Sequence, residues 1–245
     1  MFQAQIKSDH LKQLLEIIRN LTNEVKFVAT DSQLSVKAVD TAHVAMVDVN
    51  LKKDGFEEYK ASSCELGIDL EKLNDVLKLA GAGDILSLEH DEEKNRLITK
   101  VGNITRRMSL LDASVLTEPK VPNLNLPVKV KIRAGELLQG IRASEPISDH
   151  ISLIASPDGF ELSSQGDTDS VSLKLPRDMI DELECKEVVK SLFALDYFSK
   201  MIKAVGPQQS VLMNLGADYP VKLEFTFAEG SGSATYLLAP RIESE

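Results

Sequence analysis

The chain has 245 residues, 43% of them hydrophobic and 27% charged, enough apolar material for one large or two modest domains without staples. Tryptophan is absent and aromatics are 5%, so the core must be aliphatic; Cys64 and Cys185 form no C-x-x-C motif and read as two reduced thiols. A net charge of −10 excludes a generally basic nucleic-acid binder, so any DNA contact has to come from bases segregated onto one surface.

The N-terminal residues Met1–Ile6 alternate apolar and polar, which predicts a strand and not a signal peptide. A first amphipathic helix follows, carrying Leu11, Leu14, Leu15 and Ile18 at helical spacing. Strand patterning then covers 26–29, 34–38 and 44–51, with a turn at Asp31-Ser32. The second helix carries Leu70, Leu73, Val76 and Leu77, and strands are predicted over 85–90, 96–101 and 105–111. Residues 113–127 hold Pro119, Pro122 and Pro127, which suppress helix and central strand and favour an extended connector. Its apolar Val115, Leu116, Val121 and Leu124 suggest that it packs along a surface. Beyond it lie a strand over 128–132 and a weaker third helix with Leu137, Leu138 and Ile141. Strands over 151–155, 160–163 and 170–175 come next, and then a fourth helix with Leu195, Phe198, Met201 and Ile202. Strands over 211–215, 221–227 and 234–238 end the pattern. No apolar run approaches the roughly 18 residues of a membrane span.

The chain repeats itself. Leu70, Lys78 and Gly81 match Leu195, Lys203 and Gly206 at an offset of 125; Asp31, Asp40, Thr41 and Val44 match Asp158, Asp167, Thr168 and Val171 at 127. The expected organisation is therefore α+β: two similar domains, 1–112 and 128–245, joined by a connecting loop over 113–127, each with two helices packed on antiparallel sheets. The four helical segments carry Lys12, Arg19, Lys72, Lys78, Arg133, Arg142, Lys200 and Lys203. Their acids lie mostly in first turns, where a carboxylate complements the helix N-terminus, leaving Glu16 and Asp75 beyond. Four repeated helices with basic bodies suggest one shared surface for sequence-blind phosphate contact.

No catalytic constellation accompanies this pattern. Asp40-Thr41-Ala42-His43 reads as a strand-end turn, although a hydrolase using the Asp40–His43 pair is a reading of a different class. His10, His90 and His150 are isolated, and no Cys/His cluster or H-E-x-x-H motif exists, so no metal or other cofactor is expected. Gly81-Ala82-Gly83-Asp84 reads as a helix C-terminal turn, and Asp91-Glu92-Glu93 as a hairpin tip.

Four stretches then carry a resemblance over essentially the whole length: Met1-Phe2-Gln3-Ala4, Val39-Asp40-Thr41-Ala42-His43-Val44, Leu79-Ala80-Gly81-Ala82-Gly83-Asp84-Ile85, and Tyr236-Leu237-Leu238-Ala239-Pro240-Arg241-Ile242-Glu243. In this order and spacing they resemble the DNA sliding clamps of the proliferating cell nuclear antigen (PCNA) family. The ending at Glu245, the lack of a basic targeting cluster and the proline-bearing connector look like the archaeal branch, which implies a cytoplasmic, nucleoid-associated protein (nuclear if eukaryotic).

The resemblance implies a non-enzymatic processivity factor. It would be a closed homotrimeric ring, helices lining the hole, that encircles duplex DNA and tethers DNA polymerase. Implied partners include the clamp loader replication factor C, flap endonuclease, DNA ligase and other replication and repair proteins carrying a short helical motif with a glutamine and aromatic plugs. The DNA-facing role falls to the eight bases above. The implied partner groove maps onto Val39, His43, Val44, Pro119 and Val121, and onto Pro220, Leu237, Ala239, Pro240 and Ile242. Ring closure would pair edge strands 105–111 and 168–175 of neighbouring subunits. Arg106, Arg107 and Ser109 lie on one side and Val171, Leu173 and Asp178 on the other, with charge pairing from the arginines to Asp178, Asp181, Glu182 and Glu184. A checkpoint-type subunit of a hetero-ring and a β-rich peptide-binding scaffold without DNA are the alternatives.

Overall fold

The computed structural model describes residues 1–242; Glu243 of the C-terminal stretch and the Glu245 ending lie outside the described residues. It divides into two compact units. The first is Met1–Val121 with Thr226–Ala234, and the second is Pro122–Phe225 with the residues from Thr235 onward.

The first unit opens with β1 (Phe2–Lys7), whose Phe2, Ala4 and Ile6 are buried, and runs into α1 (Ser8–Arg19). β2 (Glu24–Ala29), β3 (Gln33–Val39) and β4 (Ala45–Lys52) follow as a meander. Next come β5 (Glu58–Ala61), β6 (Cys64–Asp69) and α2 (Leu70–Leu77). β7 (Ile85–Asp91), β8 (Arg96–Val101) and β9 (Ile104–Ser109) complete it. Strands hydrogen-bond in the antiparallel rows β5-β1-β7-β8-β9 and β6-β2-β3-β4. Asp69 caps α2, accepting from the Lys72 amide at 3.1 Å.

The second half of the chain repeats the order. It has β10 (Val128–Arg133), α3 (Ala134–Ser144), β11 (His150–Ser156), β12 (Gly159–Gln165) and β13 (Ser170–Pro176). Then come β14 (Glu182–Glu184), β15 (Val189–Ala194), α4 (Leu195–Val205), β16 (Ser210–Leu215), β17 (Val221–Phe227) and β18 (Gly232–Leu238). Its rows, β14-β10-β16-β17-β18 and β15-β11-β12-β13, reproduce those of the first unit strand for strand. The internal repeat read from a few identities is thus a repeat of whole topology.

In both units the helices bury an aliphatic stripe. α1 buries Leu11, Leu14, Leu15, Ile17 and Ile18; α4 buries Leu195, Phe198, Met201, Ile202 and Val205. α3 comes so close to β12 and β13 that a Cβ on Gly140 would stand 2.9 Å from Leu162 and 3.0 Å from Leu173. A larger residue would have to push these leucine side chains aside, so the glycine suits the close approach of helix to sheet. α4 ends at Gly206 with φ 88, a conformation that a side chain resists.

Several expected boundaries move. Arg133 belongs to β10 and not to the third helix, because the strand alternation of Val128, Val130 and Ile132 continues through it. β9 stops at Ser109, and Leu111 instead makes an isolated bridge to Gly67. β13 starts at Ser170, because 166–169 form a tight turn in which the Gly166 amide donates to the Asp169 carbonyl at 2.8 Å. The connector packs less than expected: Val115 is 70% exposed. Four short strands, β5, β6, β14 and β15, were not expected.

Candidate nucleic-acid interface and partner surface

In the first unit, Lys12 and Lys72 stand exposed on α1 and α2, and Lys78 is exposed at the C-cap of α2. Arg19, in the last turn of α1, is half-buried. In the second unit Arg142 is exposed on α3, Lys200 and Lys203 on α4, and Arg133 at the end of β10. Each cation but Arg133 lies opposite or beside its helix's buried stripe, as amphipathic phase requires.

These lysines are not bare charges. Lys12 lies 3.9 Å from Glu16, Lys72 3.0 Å from Asp69 and Lys78 2.8 Å from Asp75. In the second unit Lys200 lies 3.7 Å from Asp196 and Lys203 3.0 Å from Glu145. Glu145, directly after α3, also accepts from the Ser199 hydroxyl at 2.9 Å. A cleft of about 590 Å³ opens there, with Glu145, Ser199, Lys200, Lys203 and Arg241 on its walls. The sequence reading missed Glu145, whose partner stands 58 residues away, a separation that no helical period links.

The carboxyls register these neighbours. The Lys203 ammonium, then the Ser199 hydroxyl, holds Glu145 below the ordinary glutamate range, with Arg142 adding to the effect. Lys78 does the same for Asp75, assisted by the charges of Arg106 and Arg19. A depressed carboxyl favours the folded state above its unfolded titration and loses that contribution as pH falls through the folded value. The Glu145 side-chain carboxyl, followed by NMR, is therefore expected to titrate below free glutamate, and Lys203→Met to move its midpoint upward; an unmoved midpoint would remove Lys203 as the cause.

The partner residues fall in two sets. In the first unit, Asp40 is 4% exposed and organises its turn. Its Oδ1 accepts from the Val44 amide at 2.9 Å and the Ala45 amide at 2.8 Å, and its Oδ2 from the Ala42 amide at 3.0 Å. The carboxylate thus holds the backbone amides of its own turn, as a strand-end turn requires. This turn brings together half-buried Val39 and Val44 with exposed His43, which sits at φ 57. Pro119 is half-buried and Val121 exposed. In the second unit, Pro220, Ala239 and Pro240 are half-buried and Ile242 is 78% exposed, while the Arg241 amide pins the tail to the Leu192 carbonyl at 2.7 Å. Leu237 does not suit a groove wall: it is 7% exposed, although it shares the face of β18 that carries exposed Ser233 and half-buried Thr235.

β9 and β13 each end a row of strands. Alternation places Arg106 on the same face of β9 as buried Met108, with Arg107 and Ser109 on the other, so the two arginines do not act as one patch. Val171 and Leu173 are half-buried on β13, and Asp178 is exposed just after it. Of the other acids expected to pair there, Asp181 accepts from the Ser210 hydroxyl, and Glu182 and Glu184 belong to β14, with Glu184 3.7 Å from Lys129.

Comparison with known proteins decides the family. The PCNA N-terminal domain model matches residues 1–113 and the PCNA C-terminal domain model residues 120–241. The chain belongs to the proliferating cell nuclear antigen family. Among PCNA-family relatives, the DNA polymerase sliding clamp of Methanosarcina mazei is 42% identical over the full length of both chains. That of Natronomonas pharaonis is 37% identical, again over the full length of both. The A. fulgidus PCNA solved with the C-terminal region of FEN-1 superposes with a TM-score of 0.94 at 32% identity, covering all of both chains. PCNA from Thermococcus kodakaraensis gives 0.91 at 25% identity, over 98% of this chain and all of that one. Among the described residues no group of side chains is arranged to hold a metal ion, and no helix is long and apolar enough to cross a membrane.

Proposed function

We propose that this chain is the subunit of a DNA sliding clamp, a non-enzymatic processivity factor that closes as a homotrimer around duplex DNA. One observation carries the reading: both copies of a duplicated domain present exposed bases on their helices, while the chain as a whole is at −10. Lys12, Arg19, Lys72, Lys78, Arg133, Arg142, Lys200 and Lys203 would face DNA and contact phosphate without reading bases. Weak, paired cations cannot hold DNA by affinity, so retention has to be topological. The relatives' name, DNA polymerase sliding clamp, supports polymerase as a client.

The relative bound to a FEN-1 tail supports a groove for partner peptides. Here it would be built on Val39, His43, Val44, Pro119 and Val121 and on Pro220, Ala239, Pro240 and Ile242. Clamp loader, flap endonuclease and ligase are the further partners, and the setting is the nucleoid. The functional domains are proposed as 1–112 and 128–245, with 113–127 connecting them. The alternatives, a hetero-ring subunit and a peptide scaffold, predict no closed homotrimer on DNA.

The test is retention on nicked circular DNA after loading, followed by linearisation. The clamp should stay on the circle through a wash in raised salt and leave within the time of cutting. Equal retention on both forms, or none on the circle, would refute topological tethering.

A further inference from the structure

We propose that Glu16, Asp75 and Glu145 are affinity-setting residues of the DNA-facing surface, built in to keep its lysines from holding phosphate tightly. The inference rests on the clamp reading and deepens it.

Three observations carry it. First, these acids stand at the wrong ends of their helices. Glu16 lies in the last turn of α1, Asp75 in the last turn of α2 and Glu145 at the C-cap of α3. Carboxylates are disfavoured there by the partial negative charge of the unpaired carbonyls. The first-turn acids Asp9, Glu71, Glu136 and Asp196 have a helical reason to be present; these three have none.

Second, each holds a lysine: Lys12 at 3.9 Å, Lys78 at 2.8 Å and Lys203 at 3.0 Å. The pairs are exposed, and exposed pairs contribute little to stability, so folding does not explain the lysine contacts, although Glu145 also accepts from buried Ser199. Third, the pairing recurs where the position does not. Lys78 and Lys203 are equivalent in the internal repeat. Lys78 is held from within its own helix, whereas Lys203 is held by a carboxylate 58 residues away beyond another helix. Two copies of one domain have reached the same neutralised lysine by different routes.

The chemistry follows from competition. A phosphate approaching Lys78 or Lys203 must displace a carboxylate or accept it as a neighbour, and either lowers the number of counterions released per contact. The surface then offers many shallow, interchangeable contacts, which suits a ring that must move along its track. Asp75 and Glu145 reach further, since Arg19 and Arg106 act on the first carboxyl and Arg142 on the second.

The test compares wild type with Glu16→Gln/Asp75→Asn/Glu145→Gln. A control with the same charge change on loops, Asp31→Asn/Glu93→Gln/Glu187→Gln, accompanies them. Binding to a short linear duplex without loader is measured across salt, with ring assembly checked on a sizing column. The triple variant should bind about tenfold tighter at low salt, with a log–log salt slope steeper by about 0.9 for each lysine released. The control should follow wild type. A triple variant equal to wild type, or a control that gains as much, overturns the proposal. Should the triple variant fail to assemble, Glu145→Gln alone keeps the test, because the amide oxygen still accepts from Ser199. Retention of wild type on circular DNA is scored in a separate arm, so failure of the clamp reading is told apart from failure of this one.

Discussion

Arg107→Pro is expected to turn the assembled ring into free, folded subunits. β9 is the last strand of its row and pairs with β8 alone, in the register Val101↔Ile104 around a two-residue turn in which Gly102 has φ 53. Residues flanking such a turn form a hydrogen-bonded pair, and bonded pairs alternate along the ladder. The Leu110 amide donating to the Asn95 carbonyl at 3.0 Å fixes the same phase at the far end. Arg106 is therefore bonded to Thr99, while Thr105, Arg107 and Ser109 turn their amides to the open edge. Proline at 107 removes an outward donor and sets its ring on the edge, yet breaks no bond to β8. If β9 of one subunit joins β13 of the next, the substitution costs up to about 3 kcal/mol per joint, the penalty for leaving the facing carbonyl without its donor. That is about a hundredfold in affinity. Far-UV circular dichroism should be unchanged, the sizing column should report a monomer, and retention on circular DNA should vanish. A trimer that persisted would mean that ring closure does not use this edge. Because Arg106 and Arg107 face opposite sides, reversing both charges together would mix two effects, which the backbone substitution avoids.

What the sequence disclosed depended on whether the physics was local. β8 and β17 lie where alternation put them, and all four helices fall on their aliphatic stripes. β6 and β15 were missed because each runs directly into a helix, and a six-residue strand with Gly67 at its centre carries little signal. Yet Cys64–Asp69 and Val189–Ala194 are the same element at the offset of 125 already found in the helices, so the duplication held the missing information. Arg133 was misplaced because no capping side chain marks the start of α3. The surface was less legible than the core. Composition located the basic residues, but Glu145 reaches Lys203 across the fold and Arg106 acts on Asp75 from a different element, and neither contact leaves a periodic trace. The burial of Leu237 is likewise not written in the alternation, since it lies on the opposite face of β18 from Tyr236 and Leu238 and both faces are covered at this end of the strand.

Asp40→Ala should cost about 3 kcal/mol of stability and weaken partner-peptide binding at the same time. The carboxylate accepts from three backbone amides, two of them, Val44 and Ala45, on a single oxygen. Each buried donor left unmade costs about 1–3 kcal/mol, and the exposed Ala42 end of the turn can recover part of this from water. Asp40→Asn keeps an oxygen for Val44 and Ala45 and loses the acceptor at Ala42, so its penalty should be about 1 kcal/mol. The graded pair separates the turn's hydrogen bonds from mere loss of a side chain, and urea denaturation of both variants reads it directly. The same turn aligns Val39 and Val44 and holds His43 at positive φ. Loosening it should therefore lower affinity for a fluorescent helical peptide with glutamine and aromatic plugs by about tenfold, as expected when an apolar anchor loses its seat. His43→Gly supplies the contrast, since glycine accepts that backbone conformation without strain and removes only the imidazole. Weak peptide binding in Asp40→Ala with normal binding in His43→Gly would assign the effect to the shape of the turn. The reverse result would assign it to the imidazole, and unchanged binding in both would move the partner surface away from this turn.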